Sequence, residues 1–174
     1  MMLEQRLVEA LTRLGFDEYK KISTAEIIFS QDVVEQCARN TCGNFGRNYG
    51  CPPLAGSQEE RQNRVLRYQN AFLISKIVSM VSRKEMEKSM SDLDRIHREL
   101  RREFKDDDVQ IMGAGPCTVC EKCAALENKP CRFPEKIQYS MEGSGIDVVR
   151  LSRELGMTYN AGGGHVGFFT LVLY

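Results

Sequence analysis

The sequence predicts a single α/β or α+β domain over residues 1–174: a four-stranded, mixed sheet with covering helices and two cysteine-rich loops. Three observations predict it. Segments with helical apolar spacing alternate along the chain with short β-branched runs. The 174 residues can bury one core, and no internal repeat or low-complexity tract divides them. All seven cysteines fall in two Gly- and Pro-rich stretches that break both periodicities.

Leu3, Leu7, Ala10, Leu11 and Leu14 recur at helical spacing, which predicts an amphipathic helix over residues 2–14 with Gly15 as its stop. Ala25–Phe29 is short and partly β-branched and is expected to be the first strand. Residues 37–56 are rich in Gly, Asn and Pro and read as loop. Ser57 with Glu60 forms a capping-box pattern that should open a helix running to about Tyr68. Ala71–Val81 is apolar enough for a buried second strand. Met86, Met90, Leu93, Ile96, Leu100 and Phe104 put one apolar stripe on a charged helix over Lys84–Phe104. On that helix His97 is expected in solvent.

Asp106–Asp108 reads as a turn and Val109–Met112 as the third strand. Gly113–Pro134 is the second cysteine loop. Ile146, Val149 and Leu155 predict a helix over 145–155 ended by Gly156. Gly162–Gly164 is expected to turn the chain into a last strand, Val166–Leu173. Both cysteine loops would then follow strands, and parallel first and third strands would bring the loops to one sheet edge.

Composition narrows the function classes. The chain has no net formal charge, no tryptophan and few aromatics, so nucleic-acid binding is not expected. Glu4, Arg6 and Glu9 interrupt the N-terminal apolar pattern, which is unlike a signal peptide. No run approaches the roughly 18–20 apolar residues of a membrane span. A cytoplasmic location is therefore expected, and there thiols stay reduced. An odd number of cysteines in that setting points to metal rather than disulfides. No Walker loop, G-x-G-x-x-G, H-E-x-x-H or G-x-S-x-G pattern occurs.

Cys117, Cys120 and Cys123 form C-x2-C-x2-C, and Cys131 follows after seven residues. Each iron of a cubane needs one thiolate, and two-residue gaps let a tight turn offer sulfurs to neighbouring irons. This is a variant of the bacterial-ferredoxin run, with a longer last spacing and the proline displaced to Pro134. Structural zinc is the alternative, although it usually draws on two separated ligand pairs. A third reading, buried structural thiols, fits four cysteines in a Gly/Pro loop poorly.

Cys37, Cys42 and Cys51 form C-x4-C-x8-C, followed by Pro52 and Pro53. Three thiolates can hold three irons of a second [4Fe–4S] cluster and leave the fourth for a small ligand, another side chain or a partner. Cys51 can instead serve the cluster of the second loop, as in two-cluster ferredoxins. Arg39, Arg47 and Arg132 lie among the cysteines and are candidates to offset thiolate charge or hold an acidic substrate. Ordinary surface arginine is the plain reading of each. Asn40, Asn44 and Asn48 read as turn residues. His165, after a glycine run, reads as part of a plain turn.

The blocks C-x4-C-x8-C-P-P and G-x-C-x2-C-x2-C-x7-C-R-x-P, in this order, resemble a prokaryotic family of predicted metal-binding proteins, DUF2284. The resemblance covers nearly the whole chain and implies metal binding, with all seven cysteines as candidate ligands. Its members look typical of anaerobes, a setting that suits oxygen-sensitive clusters. It implies no reaction.

Three functions are carried forward. The first is an electron-transfer or redox module with one or two [4Fe–4S] clusters and a redox partner protein. The second is a non-redox enzyme using an open-site [4Fe–4S] cluster as a Lewis acid. The third is a zinc-stabilised binding module.

Overall fold

A computed structural model describes residues 1–174. Leu7, Ala10 and Leu11 share the buried face of helix α1 (Leu3–Leu14), which ends at Gly15 with φ +80°. There glycine avoids the Cβ cost of the left-handed region. The chain turns directly into β1 (Glu18–Ser23), of which only Ile22 is fully buried. Ala25–Phe29, expected as the first strand, is not one. Ser23 and Glu26 form a capping box that winds Thr24–Glu26 into a 3-10 turn, and Phe29 keeps a single bridge to Ile146.

Helix α2 (Gln31–Ala38) follows and carries Cys37 in its last turn. The expected capping box at Ser57 and Glu60 opens α3 (Gln58–Leu66). β2 (Asn70–Ser79) and α4 (Arg83–Glu103) fall where their apolar patterns put them. β3 (Gln110–Met112), α5 (Val148–Glu154), β4 (Asn160–Gly162) and β5 (His165–Leu173) complete the chain. Gly163 and Gly164 both take positive φ at the β4–β5 turn, the conformation a tight hairpin demands.

The sheet order is β1-β2-β5-β3, with β4 also paired to β5. Every strand pairing is antiparallel, so the domain is α+β and its sheet is not the mixed one expected. The apolar residues of β2 alternate between two cores, as a pleated strand buried on both faces requires. Phe72 and Ile74 pack with Leu7 and Leu11 of α1 and with Leu93, Ile96 and Leu100 of α4. Ala71 and Leu73 face the opposite way, onto Val65 of α3, Leu151 of α5, Met141 and Ile146.

His97 is not in solvent. It lies on the buried side of α4, with Nε2 2.7 Å from Thr170 Oγ1 of β5 and its ring 5.9 Å from that of Phe16. Burial pulls its pKa down to about 4.

Candidate metal centre

The two cysteine loops meet, but not through parallel strands. β1 and β3 run opposite ways in this sheet order, and the first loop leaves a helix rather than a strand. Short-range contacts join the loops instead. The side chain of Asn48 is buried between them. Its Nδ2 donates to Cys117 O at 3.0 Å, and its Oδ1 accepts from Cys117 N at 3.0 Å and from Gly50 N at 2.9 Å. Asn48 therefore does more than shape its own turn.

The backbone of Gly50 passes so close to the second loop that a Cβ there would lie 2.3 Å from Gln138 O and 3.0 Å from Cys117 Cβ. Ser140 N donates to Gly50 O at 3.1 Å, and Met141 N closes the base of the second loop on Gly113 O at 2.9 Å. The segment after that base supports α2: Ser30 N donates to Gly145 O at 2.8 Å, and Gly145, at φ +80°, leaves room for Val34.

All seven cysteines are unpaired. The four of the second loop, Cys117, Cys120, Cys123 and Cys131, line one small cavity closed by Tyr49 and Phe133. Tyr49 belongs to the first loop and is tied to the second by its hydroxyl, which donates to Lys129 O at 2.8 Å. No three His, Cys, Asp or Glu side chains draw together as tightly as a single-ion site would require. The four-cysteine cavity has a volume of about 20 Å³, room for little more than one water.

In the first loop Cys42 is exposed, Cys37 is half-buried and Cys51 is buried. Burial is the main force pushing the Cys51 thiol up to about 12, and the charges of Cys37, Cys42, Cys117 and Cys123 add to it. Cys51 thus lies within electrostatic reach of thiols from both loops. Burial raises Cys37 as well, helped by Cys42 and Glu142. A thiol held protonated in this way loses its proton outright when it coordinates a cation.

Of the three arginines singled out by sequence, Arg132 lines the four-cysteine cavity and donates to Lys122 O at 2.9 Å. Arg39 and Arg47 are exposed and line neither cavity described here. Two others occupy the places foreseen for them. Arg101 of α4 is held by Ile111 O at 2.7 Å, and burial pulls its pKa down to about 10 while the charge of Cys117 opposes that fall. Arg61 of α3 is 6 % exposed and senses the charge of Cys37. The sequence did carry a signal for both: Arg61 is one helical turn before Val65, and Arg101 is one turn before Phe104 of the apolar stripe, so each adjoins a core-facing register.

The fold and the site define a class: an α+β domain with two touching cysteine loops that gather unpaired thiols as candidate metal ligands. The chain belongs to the DUF2284 family, described as predicted metal-binding protein, whose family model matches residues 20–174. That match takes in both loops and every strand except the first two residues of β1. No curated protein and no solved structure gives a significant match.

Soft thiolate donors fit iron–sulfur clusters or zinc and disfavour hard cations such as magnesium or calcium. No helix is long and apolar enough to cross a membrane.

Proposed function

We propose that this metal-binding protein is an iron–sulfur redox module that passes electrons to or from a partner protein. The observation that carries this reading is the placement of Cys117, Cys120, Cys123 and Cys131 around one cavity. A zinc ion, with Zn–S near 2.3 Å, needs its four sulfurs drawn onto one point. A cubane needs them spread around a volume, one at each iron. Cys37, Cys42 and Cys51 are the ligands available to a second cluster, one short of a full set. A [4Fe–4S] cluster supplies a one-electron couple.

The chain's own residues do the rest. Asn48 and Gly50 hold the two loops in contact, so the two thiol sets are neighbours. Phe133 and Tyr49 shield the four-cysteine cavity. Arg101 and Arg132 place positive charge beside the anionic thiolates. A redox role also fits exposed Leu126 and Phe133 near the second loop, where a partner can approach.

The test is anaerobic purification followed by iron and acid-labile sulfide analysis, with EPR before and after dithionite. About eight iron and eight sulfide per chain are expected, with a reversible reduced signal. A colourless protein holding zinc and no sulfide overturns the reading and leaves a zinc-stabilised binding module.

A second reading has one specific support. A cavity of about 320 Å³ opens beside Cys37, at the loop with only three cysteines. That is room for a small molecule next to an iron without a cysteine, as a Lewis-acid enzyme requires. An EPR or visible spectrum of one cluster altered by small thiols or sulfide would favour it, and two clusters indifferent to both would exclude it.

A further inference from the structure

The cavity beside Cys37 has one feature that no metal ligation uses. Arg61 lines it together with Val34, Phe45, Pro52 and Pro53. Although Arg61 is 6 % exposed, it forms no ion pair. Its Nη1 donates to Gly56 O, and its Nε is buried without any partner. Such a group is costly to leave unsatisfied, because a buried donor forfeits its bonds to water.

Neither Glu60 nor Glu142 answers it. Glu60 is bound by Ser57 N at 2.7 Å, and Glu142 by Ser140 Oγ at 3.3 Å. With Nη1 engaged and Nε closed off from the cavity, Nη2 is the guanidinium nitrogen left to meet a ligand. A guanidinium N–H without an ion pair favours an anionic oxygen as its partner. Val34, Ala38, Phe45, Pro52 and Pro53 make the apolar part of the remaining wall, Ser57 and Gln58 the polar part, and the volume is at the lower end of ligand pockets.

We infer that this cavity is a binding site for a small carboxylate with a short apolar chain, its carboxylate on Nη2 of Arg61 and its chain against Val34, Phe45 and Pro53. The site goes beyond the electron-transfer reading and does not depend on which metal the cysteines hold. Bound there, the ligand would lie next to Cys37 and so beside the three-cysteine centre.

The test uses anaerobically purified, metal-loaded protein and titration calorimetry with butanoate as the probe and butanamide as its neutral isostere. Saturable one-to-one binding of butanoate is expected, with butanamide at least about tenfold weaker, the equivalent of about 1.4 kcal/mol. Arg61→Gln, which removes the positive charge, should weaken butanoate about tenfold as well. Ala38→Leu narrows the same cavity without touching Arg61 and should also weaken binding, so the result does not rest on one variant folding. Equal binding of butanoate and butanamide overturns the inference, as does no saturable binding by wild-type protein. Indifference of butanoate to both substitutions overturns it too. Iron and sulfide content of the same samples reports the metal assignment separately.

Discussion

Asn48 and Cys117 are 69 residues apart, yet the side chain of the one is paired to both backbone groups of the other. The amide reproduces in miniature the exchange of bonds between two strands. Removing it takes the partner from the partly buried N–H and C=O of Cys117 at once. Asn48→Ala should cost about 2–3 kcal/mol in denaturant unfolding, the sum expected for several buried hydrogen bonds. Asn48→Asp keeps the two acceptor contacts but cannot donate to Cys117 O. It should fall between wild type and alanine, and both variants should lose metal from the second loop faster in chelator competition.

Gly50→Ala tests the closeness of the loops. Its Cβ would lie 2.3 Å from Gln138 O, a backbone atom that cannot move alone. A loss above about 2 kcal/mol is expected, because overpacking at backbone contact forces the chain apart. Gly43→Ala is the matched control: its φ of +79° is strained for alanine, but nothing lies within 4 Å. It should cost only about 1 kcal/mol. Equal losses in thermal or denaturant unfolding would show that conformation, and not loop contact, governs both sites.

His97 should give the fold a pH dependence. Its folded pKa is lowered to about 4 from the ordinary imidazole value of 6.5, because burial disfavours the charged ring. The unfolded chain therefore binds more protons between these values. The stabilisation is complete above about pH 6.5 and is lost as pH falls towards 4, by about 3 kcal/mol in all. Denaturant unfolding of wild type and His97→Asn across this window should converge at the acid end. Parallel curves would show that His97 does not carry the effect.

Arg101 should tune the second loop. Its guanidinium is buried within reach of Cys117, where positive charge favours the reduced, more anionic state of a cluster. For the iron–sulfur cluster proposed above, Arg101→Gln should lower the reduction potential by on the order of 50 mV, about a tenfold change in a one-electron equilibrium. Redox titration monitored by EPR measures this directly. Arg39→Gln, at an exposed position, serves as the neutral comparison and should leave the potential within the error of the titration.

The sequence made the helices and the second loop readable, for reasons these residues share. The stripe Leu93, Ile96, Leu100 and Phe104 has an unmistakable period, and three cysteines at two-residue gaps have few chemical meanings. β1 was hidden because it is an edge strand: Tyr19, Lys20 and Lys21 face solvent to differing degrees, and only Ile22 enters the core. The apolar run Ala25–Phe29 drew attention instead, yet Ser23 and Glu26 commit its start to a turn. Long-range partners were beyond local pattern. Nothing near Asn48 in the chain announces Cys117, and nothing near Arg61 announces Cys37. Arginines adjacent to cysteines in sequence were the visible candidates, whereas those from α3 and α4 approach through the fold.

The pairing of β3 has a consequence for biosynthesis. This three-residue strand, from which the four-cysteine loop departs, is paired only with β5, the last strand to be made. Until β5 is made, the second loop has no sheet partner at its N-terminal stem, although the Asn48–Cys117 and Gly50–Ser140 contacts between the loops are already within reach. A chain halted before β5 would therefore hold its two cysteine loops together by these contacts alone, with the stem of the second loop not yet fixed to the sheet.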